Sequence, residues 1–285
     1  MLVTLLDSAQ DFLDETLAFR TTHSLTLNMI GSVATSVASG DRGYDKYFWW
    51  VVKNESGEVI GLAMRTAPHA MVISNMPKGA ITELVSQVVL VDDELPEIGG
   101  PNEEVDVFLE AYFKTESAGS NRKTELSHQE WLYELQSLKN PDVSGEARRA
   151  TGDDFDLIHN WFLAFGEEAG LLMHNTVESI EDGLKRASLF LWIHQKEIVS
   201  MAGHAPIVEI PGTRVGRIGP VYTPPGYRRK GFAGALTAHV SQHLLNQGAQ
   251  VILYTDATNP TSNGVYQRIG FAKIGESKRV KFLDS

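Results

Sequence analysis

Residues 226–236, GYRRKGFAGAL, combine cationic and small residues where a helix is predicted to begin. The first backbone N–H groups of a helix have no partner inside it, and the helix dipole adds positive charge there. The cations at 228–230 add whole charges, while Gly231, Ala233 and Gly234 let a ligand's oxygens approach the backbone closely. This combination suits a pyrophosphate. The alternative is a solvated basic turn before an ordinary helix, and the strand and double proline before the turn favour the anion site.

The loop lies between a predicted strand and a predicted helix. A strand centred on 218–223 stops at Pro224-Pro225, and because proline cannot donate to a β ladder, we expect the strand to splay from its neighbour there. The helix follows as one apolar stripe at helical spacing, and Gly248 suits its end. Neither G-x-x-x-x-G-K-[ST] nor G-x-G-x-x-G occurs at this loop, so it is neither a Walker loop nor a dinucleotide fingerprint.

The remaining elements of this half complete an α/β pattern. VILYTD predicts a short buried strand, and the segment after it predicts a short helix that Asn259 caps, Pro260 begins and Gly270 ends. FAKIGESKRVKFL predicts a closing hairpin. The order is helix, hairpin, strand, helix, strand, helix, hairpin, which predicts an α/β domain on a mixed sheet.

A similar order recurs in the first half. YFWWVVKNESGEVIGLAMRT and LFLWIHQKEIVSMAGHAPIV both predict two apolar strands joined by a polar turn, at 55–57 and 194–197, and each follows a helical region. Pro141, Ser144 and Gly145 interrupt the periodicity between the halves, so the linker lies around 139–147. We predict two tandem domains, residues 1–138 and 147–285.

Composition limits the class of protein. The 285 residues carry a formal net charge of -11 and no cysteine, which excludes disulfides, thiolate metal sites and a cysteine nucleophile, and favours a cytoplasmic protein. No apolar run approaches the roughly 20 residues that span a bilayer, and we expect no signal peptide. The acidic balance argues against nucleic acid as partner. His239 and His243 share a helix face without an evident third ligand, so we expect no metal.

Three motifs in order carry a resemblance to a known family. The loop motif R-x-x-G-x-A, the strand GPVYTPP before it and TNPTSNGVYQRIGF after it resemble the acyl-CoA site of the GNAT superfamily of N-acetyltransferases. Residues 147–285 therefore resemble a complete GNAT domain. Residues 1–138 resemble the same fold with a degenerate loop, which keeps Lys78, Gly79 and Ala80 but has no Asn-x-x-x-Asn-x-x-Tyr counterpart. This predicts a non-catalytic first copy, with a second working site as the alternative.

The resemblance implies acetyl-CoA as the cofactor. The backbone of the strand would pair with the pantetheine arm, the loop N–H groups would hold the pyrophosphate, and residues of the short helix would lie along the pantetheine. The cofactor-binding residues that it implies are Val221, Tyr222, Thr223, Arg228, Arg229, Lys230, Gly231, Phe232, Ala233, Gly234, Asn259, Asn263 and Tyr266.

The resemblance also implies catalytic roles. Tyr266 would point at the thioester sulfur, where a phenol can protonate a leaving thiolate as general acid; the alternative is a core aromatic. A backbone N–H near Val221 is a candidate oxyanion donor. The family often uses a glutamate base, but Arg217 stands at one of its usual positions. Glu167 and Glu168 are candidates for a base or acceptor contact in a loop after the first helix, or else solvated charges at its end.

We therefore predict an acetyl-CoA-dependent N-acetyltransferase that transfers an acetyl group to a primary amine of a small molecule or peptide. Direct attack in a ternary complex is expected, because no cysteine can form an acetyl-enzyme. The alternative is a non-catalytic acyl-CoA binder or sensor on the same scaffold. The expected state is a monomer or homodimer without membrane or nucleic-acid partners, and the identity of the acceptor amine stays open.

Overall fold

The computed structural model describes residues 1–92, 94–115, 122–170 and 175–283. The helices are α1 (Ala9–Glu15), α2 (Leu17–Thr22), α3 (Asn28–Ala38), α4 (Lys78–Val91), α5 (Asn102–Lys114), α6 (Phe155–Ala169), α7 (Thr176–Lys185), α8 (Phe232–Leu245) and α9 (Pro260–Ile269). The strands are β1 (Leu2–Leu6), β2 (Tyr47–Lys53), β3 (Val59–Thr66), β4 (Met71–Ile73), β5 (Glu97–Pro101), β6 (Lys123–Leu135), β7 (Glu146–Arg149), β8 (Leu189–His194), β9 (Glu197–His204), β10 (Val208–Ile210), β11 (Thr213–Tyr222), β12 (Gln250–Asp256) and β13 (Phe271–Leu283).

All these strands belong to one continuous mixed sheet. Its order is β1-β2-β3-β4-β5-β13-β6-β12-β11-β9-β8-β7, with β10 paired to β11. Two pairs of strands are parallel, β4 with β5 and β11 with β12, and the other described pairs are antiparallel. Each half contributes one parallel pair at the same place in its strand order. The fold is therefore a tandem repeat of one mixed α/β unit, as predicted from the sequence.

The two halves exchange their last strands at the centre of the sheet. Strand β13 lies between β5 and β6, and β6 lies between β13 and β12. The β6–β13 ladder runs from Phe271 opposite Leu135 to Leu283 opposite Lys123. Residues 136–145 connect the halves without helix or strand, in the region of the predicted linker. The domain bounds 1–138 and 147–285 stay a prediction. In the structure, hydrogen bonds of the sheet join these two segments.

Helices cover both faces of the sheet, and the alternation of strand side chains supplies both cores. In β2, Trp50 and Val52 pack on the face that carries α4 and α5. Trp49 and Val51 pack on the opposite face against α1 and α3. The second half repeats this layering, with α8 and α9 on one face and α6 and α7 on the other. The continuous apolar runs in the sequence therefore reflect strands that are buried on both faces.

Most predicted elements are confirmed, including both hairpins, β11, α8, β12 and α9. The elements that the sequence did not predict are β1, α3, β6, β7, α7 and β10. The closing hairpin is wrong, because residues 271–283 form the single strand β13. A register shift between Lys273 and Gly275 accommodates the residues that suggested a turn, and the strand continues because β5 and β6 satisfy its two edges.

Candidate functional site

The cationic loop connects a short 3-10 turn, Pro225–Tyr227, to the first residue of α8. Gly231 precedes the helix with a φ of 84°, in the left-handed region that favours glycine. A Cβ at this position would also come within 2.9 Å of Val143 Cγ2, which belongs to the linker between the halves. The linker thus packs beneath the loop, and both backbone conformation and space require glycine at 231.

The loop offers backbone donors that no described group uses. Within the described part of the chain, the N–H groups of residues 229–234 have no hydrogen-bond partner. The first helical hydrogen bond of α8 is donated by the Ala235 N–H to the Gly231 carbonyl oxygen, at 3.0 Å. The side chains of Arg229 and Lys230 are exposed and form no ion pair with described residues. Free N–H groups, positive charge and a helix start converge on one solvent-facing place, which suits an anionic ligand.

Beside this loop, β11 separates from β12 as predicted, but it does so before the double proline at 224–225. The parallel pairing ends at Ile218 opposite Leu253. The register of β11 shifts before Val221, and from there Val221 and Tyr222 pair only with β9. The edge of β11 that faced β12 is therefore open over its last residues. An extended ligand can add to such an edge as a further strand does.

Helix α9 carries the other predicted contacts. Asn259 caps the helix, its Oδ1 accepting from the Ser262 N–H at 3.1 Å, as predicted. Asn263 is 4% exposed and donates through Nδ2 to the Asp256 carbonyl oxygen at 3.1 Å. The buried Oδ1 of Asn263 has no partner in the described chain, so it can accept a hydrogen bond from a ligand.

Tyr266 lies on α9 among aromatic rings. Its ring centroid is 6.4 Å from that of Tyr133 and 6.2 Å from that of Phe271. Burial raises the pKa of Tyr266 to about 12, so the phenol stays protonated at neutral pH. No described group forms a hydrogen bond with its Oη. The hydroxyl is thus a proton donor without an internal use, although the ring also contributes to the core, as the alternative interpretation held.

Glu168 is tied to the loop rather than free. It lies in the last turn of α6, not in a loop, and its carboxylate accepts from Arg228 Nη2 at 2.6 and 2.8 Å. Tyr222 Oη donates to the same carboxylate at 3.1 Å, and burial and this bond raise the pKa of Tyr222. Arg228 is therefore engaged with Glu168, unlike Arg229 and Lys230. Glu167 is exposed in the same turn, and residues 171–174, which follow, lie outside the described part of the chain.

The equivalent junction of the first half differs physically. Helix α4 begins at Lys78 directly after Pro77, and the N–H groups of Ala80 and Ile81 both donate to the Pro77 carbonyl, at 2.8 and 3.1 Å. A Cβ on Gly79 would come within 2.8 Å of Met1 Cε, so the Met1 side chain covers the junction. The first half thus has one cation, fewer free donors and a covered helix start.

One feature was missed in the sequence. A cavity of about 280 Å³ lies where the halves meet. Its walls include Glu130 of β6, Tyr254 of β12 and Arg279 of β13, together with residues around the start of α3. Arg217, noted in the sequence only where a glutamate was expected, donates through Nε to Asn28 Oδ1 of α3 at 3.3 Å. No local pattern predicts this group, because its members come from strands that are adjacent only in the folded sheet.

Comparisons with known proteins agree with this architecture. The FR47-like protein family model matches residues 193–280. A GCN5-related N-acetyltransferase from Sphaerobacter thermophilus has a TM-score of 0.65 at 15% identity, with 98% of this chain and 95% of that chain covered. A GNAT-family acetyltransferase from Colwellia psychrerythraea has a TM-score of 0.59 at 13% identity, with 99% of both chains covered. A Drosophila protein has a TM-score of 0.61 at 13% identity, with 99% of this chain and 98% of that chain covered. No curated protein is significantly similar in sequence.

The fold defines the class: an α/β protein with two units of the GNAT fold in one chain. Within the C-terminal half, residues 193–280 match the FR47-like family model. The described residues include no group of three or more His, Asp or Glu side chains placed to hold a metal ion. None of the described helices is long and apolar enough to cross a membrane.

Proposed function

We propose that this protein is an acetyl-CoA-dependent N-acetyltransferase whose C-terminal half carries the active site. The observation that carries the proposal is the row of N–H groups at residues 229–234 to which no described group bonds, beside the open edge of β11. A helix start with free donors suits a pyrophosphate, and an open strand edge suits an extended arm with amide groups. The two lie together, as the cofactor's chemistry requires.

The residues present fit acetyl-CoA. Arg229, Lys230 and the N–H groups through Gly234 would hold the pyrophosphate, and the backbone of Val221–Thr223 would pair with the pantetheine amides. The orphaned Oδ1 of Asn263 would accept from one of those amides. Bound acetyl-CoA would supply an acetyl group activated as a thioester, whose transfer to an amine forms a C–N bond and breaks the C–S bond.

The chain's own residues would manage the protons and the geometry. Tyr266 is neutral at physiological pH, and no described group bonds to its Oη, so it would donate a proton to the departing sulfur. Glu168 would position α6 through Arg228 and Tyr222 rather than act as base, since both of its oxygens already accept from Arg228. An acceptor that arrives as the neutral amine needs no strong base. Transfer would be direct, because the chain has no cysteine.

The N-terminal half would be non-catalytic. Its helix start is covered by Met1 and carries one cation, so it lacks the means to hold a pyrophosphate. Its helix α3 reaches across to the C-terminal half, where Asn28 accepts from Arg217. We infer that this half forms a wall of the acceptor site, with a small-molecule or peptide amine as the acceptor.

The first test is calorimetric titration of the full chain with acetyl-CoA. We expect micromolar binding that the double variant Arg229→Glu, Lys230→Glu abolishes, because two charges are reversed at the pyrophosphate. These exposed positions are preferable to Gly231, whose substitution would strain the loop. Lys78→Glu, the matched change at the N-terminal junction, is expected to bind like the native chain.

The outcomes separate the alternatives. No binding by the folded native chain would refute the enzyme. Equal loss in Lys78→Glu would place the cofactor elsewhere or on both halves. Binding without transfer to any amine in a broad library would favour an acyl-CoA sensor on the same scaffold.

A further inference from the structure

Four adjacent strands place polar residues in one row on the same face of the sheet. They are Arg217 of β11, Tyr254 of β12, Glu130 of β6 and Arg279 of β13. The neighbouring side chains of this face, Val215, Ile252 and Leu132, form an apolar cluster. The polar row therefore lies beside a small apolar cluster, where strands of the two halves meet.

Positive charge in this row is not fully compensated. Arg279 Nε lies 3.8 Å from Glu130 Oε2, beyond a hydrogen bond. Arg217 has no carboxylate within ion-pair distance among the described residues, and its Nε donates only to the neutral amide of Asn28. Burial lowers the pKa of Arg217 and raises that of Tyr254 to about 12, so the phenol is neutral. Within this row, two guanidinium groups thus face one carboxylate. Asp256, opposite Glu130 on the same face, is exposed and accepts from Thr258.

The other charged residues of the cavity wall are balanced. Lys278 pairs with Asp106 at 2.6 Å, and Glu276 pairs with Lys273. Next to Arg217, the Nδ2 of Asn28, a residue 1% exposed, has no partner in the described chain. Neither of these two residues is among those that line the cavity. The Nδ2 of Asn28 therefore lacks an acceptor beside Arg217, whose positive charge lacks a carboxylate among the described residues. Buried groups of this kind call for an acceptor with negative charge.

The cavity gives such an acceptor room. Its volume of about 280 Å³ is just below the ~300–1,000 Å³ of typical small-molecule sites, so it suits a small metabolite rather than a peptide segment. Arg279 and Glu130 line it, with side chains 28% and 22% exposed. Tyr254 lines it too, one residue beyond Leu253, where β11 and β12 begin to separate. Tyr254 is thus the wall residue beside this separation, and the rest of the wall comes from β4, β5, β6, β13 and the start of α3.

We propose that this cavity binds the amine acceptor and that the acceptor is a small amino carboxylate. The carboxylate of this ligand contacts Arg279, and Arg217 adds positive charge behind that carboxylate. The amine of the ligand points toward Tyr254. A ligand with one carboxylate and a neutral amine leaves the polar row electrically neutral. This inference rests on the proposed function, since it assigns the substrate class of the same active site.

The test is titration of the full chain, saturated with CoA to prevent turnover, with β-alanine, γ-aminobutyrate and individual L-amino acids. Ethylamine and propylamine serve as probes without a carboxylate. We expect at least one amino carboxylate to bind about tenfold or more tightly than the alkylamines. Arg279→Gln should weaken that binding by about tenfold or more and leave CoA affinity unchanged.

Arg214→Gln is the matched control, because Arg214 lies on the same strand as Arg217 but is exposed and pairs with Glu209. It should bind like the native chain. If no amino carboxylate binds better than the alkylamines, or if Arg279→Gln binds normally, the inference fails while CoA binding keeps the proposed function. Binding of amino carboxylates without any CoA binding would overturn both the enzyme and the acceptor role, and leave only a carboxylate site.

Discussion

At the scale of single residues, Tyr266 determines whether the proposed site is catalytic. We expect Tyr266→Phe to lower kcat by about 10²-fold, the lower end of general acid–base contributions, with little change in acetyl-CoA affinity. The substitution should also cost little stability, because no described group bonds to the Oη. Steady-state kinetics and calorimetry on the same preparation measure both. An unchanged kcat in Tyr266→Phe would exclude Tyr266 as the general acid.

The pH dependence provides a second measurement on the same residue. Burial holds the pKa of Tyr266 near 12, above the ordinary value near 10. The proton needed for catalysis is therefore present at all pH values below about 11. We expect no alkaline fall in kcat from this group up to pH 10, measured with Tyr266→Phe as baseline. A fall centred near pH 9 that the variant lacks would contradict the buried state.

The sequence predicts those parts of the site whose residues are neighbours in sequence, and it does not predict contacts between residues far apart in the chain. The loop at 228–234 and the cap at Asn259 depend on neighbours in sequence, and the structure places both where the residues indicated. The partner of Glu168 could not be predicted, because Arg228 is sixty residues away in sequence. Arg217 was noticed as a departure from a motif, whereas the row that it forms with Glu130 and Arg279 exists only after strand exchange.

At the scale of elements, the turn between α9 and β13 depends on Gly270. Its φ is 106°, and a Cβ there would overlap the Ser137 carbonyl oxygen. Its own carbonyl accepts from the Gln136 N–H at 3.1 Å. This glycine therefore fixes the start of β13 against the linker between the halves.

We expect Gly270→Ala to lower the free energy of unfolding by about 3 kcal/mol or more, since strain and overlap add. Gly248→Ala is the matched control: it follows α8 with a φ of 73° and has no atom within 4 Å of a built Cβ. It should cost only about 1–2 kcal/mol. Urea denaturation of both variants gives the comparison, and equal losses would show that the contact with Ser137 is relieved at no cost.

The same element shows where local patterns mislead. FAKIGESKRVKFL has a glycine and polar residues at its middle, which predicted a turn. In the sheet, the register shift near Gly275 keeps the strand continuous. A long polar strand is stable there because β5 and β6 bond to it on both sides, and neither partner is a neighbour in sequence. Hairpin prediction fails where a strand's partners come from the other half of the chain.

At the scale of the whole molecule, strand exchange makes the halves depend on each other. Without β6, the β12 strand of the C-terminal half would have an open edge, and without β13 the same would hold for β5. Open edges of central strands are sites of aggregation. Although residues 136–145 form no helix or strand, we therefore expect neither half to be stable alone.

A split chain tests this dependence. Residues 1–138 and 139–285, produced together as separate chains, should purify as a one-to-one complex held by the β6–β13 ladder, and the complex should keep the acetyl-CoA affinity of the intact protein. The cut leaves Pro141 and Val143 beside the loop that they support. Each fragment produced alone should aggregate, as size-exclusion chromatography would show. A soluble, monomeric 139–285 fragment that binds acetyl-CoA normally would instead establish the C-terminal half as an independent domain, and the exchanged strands would then serve association rather than folding.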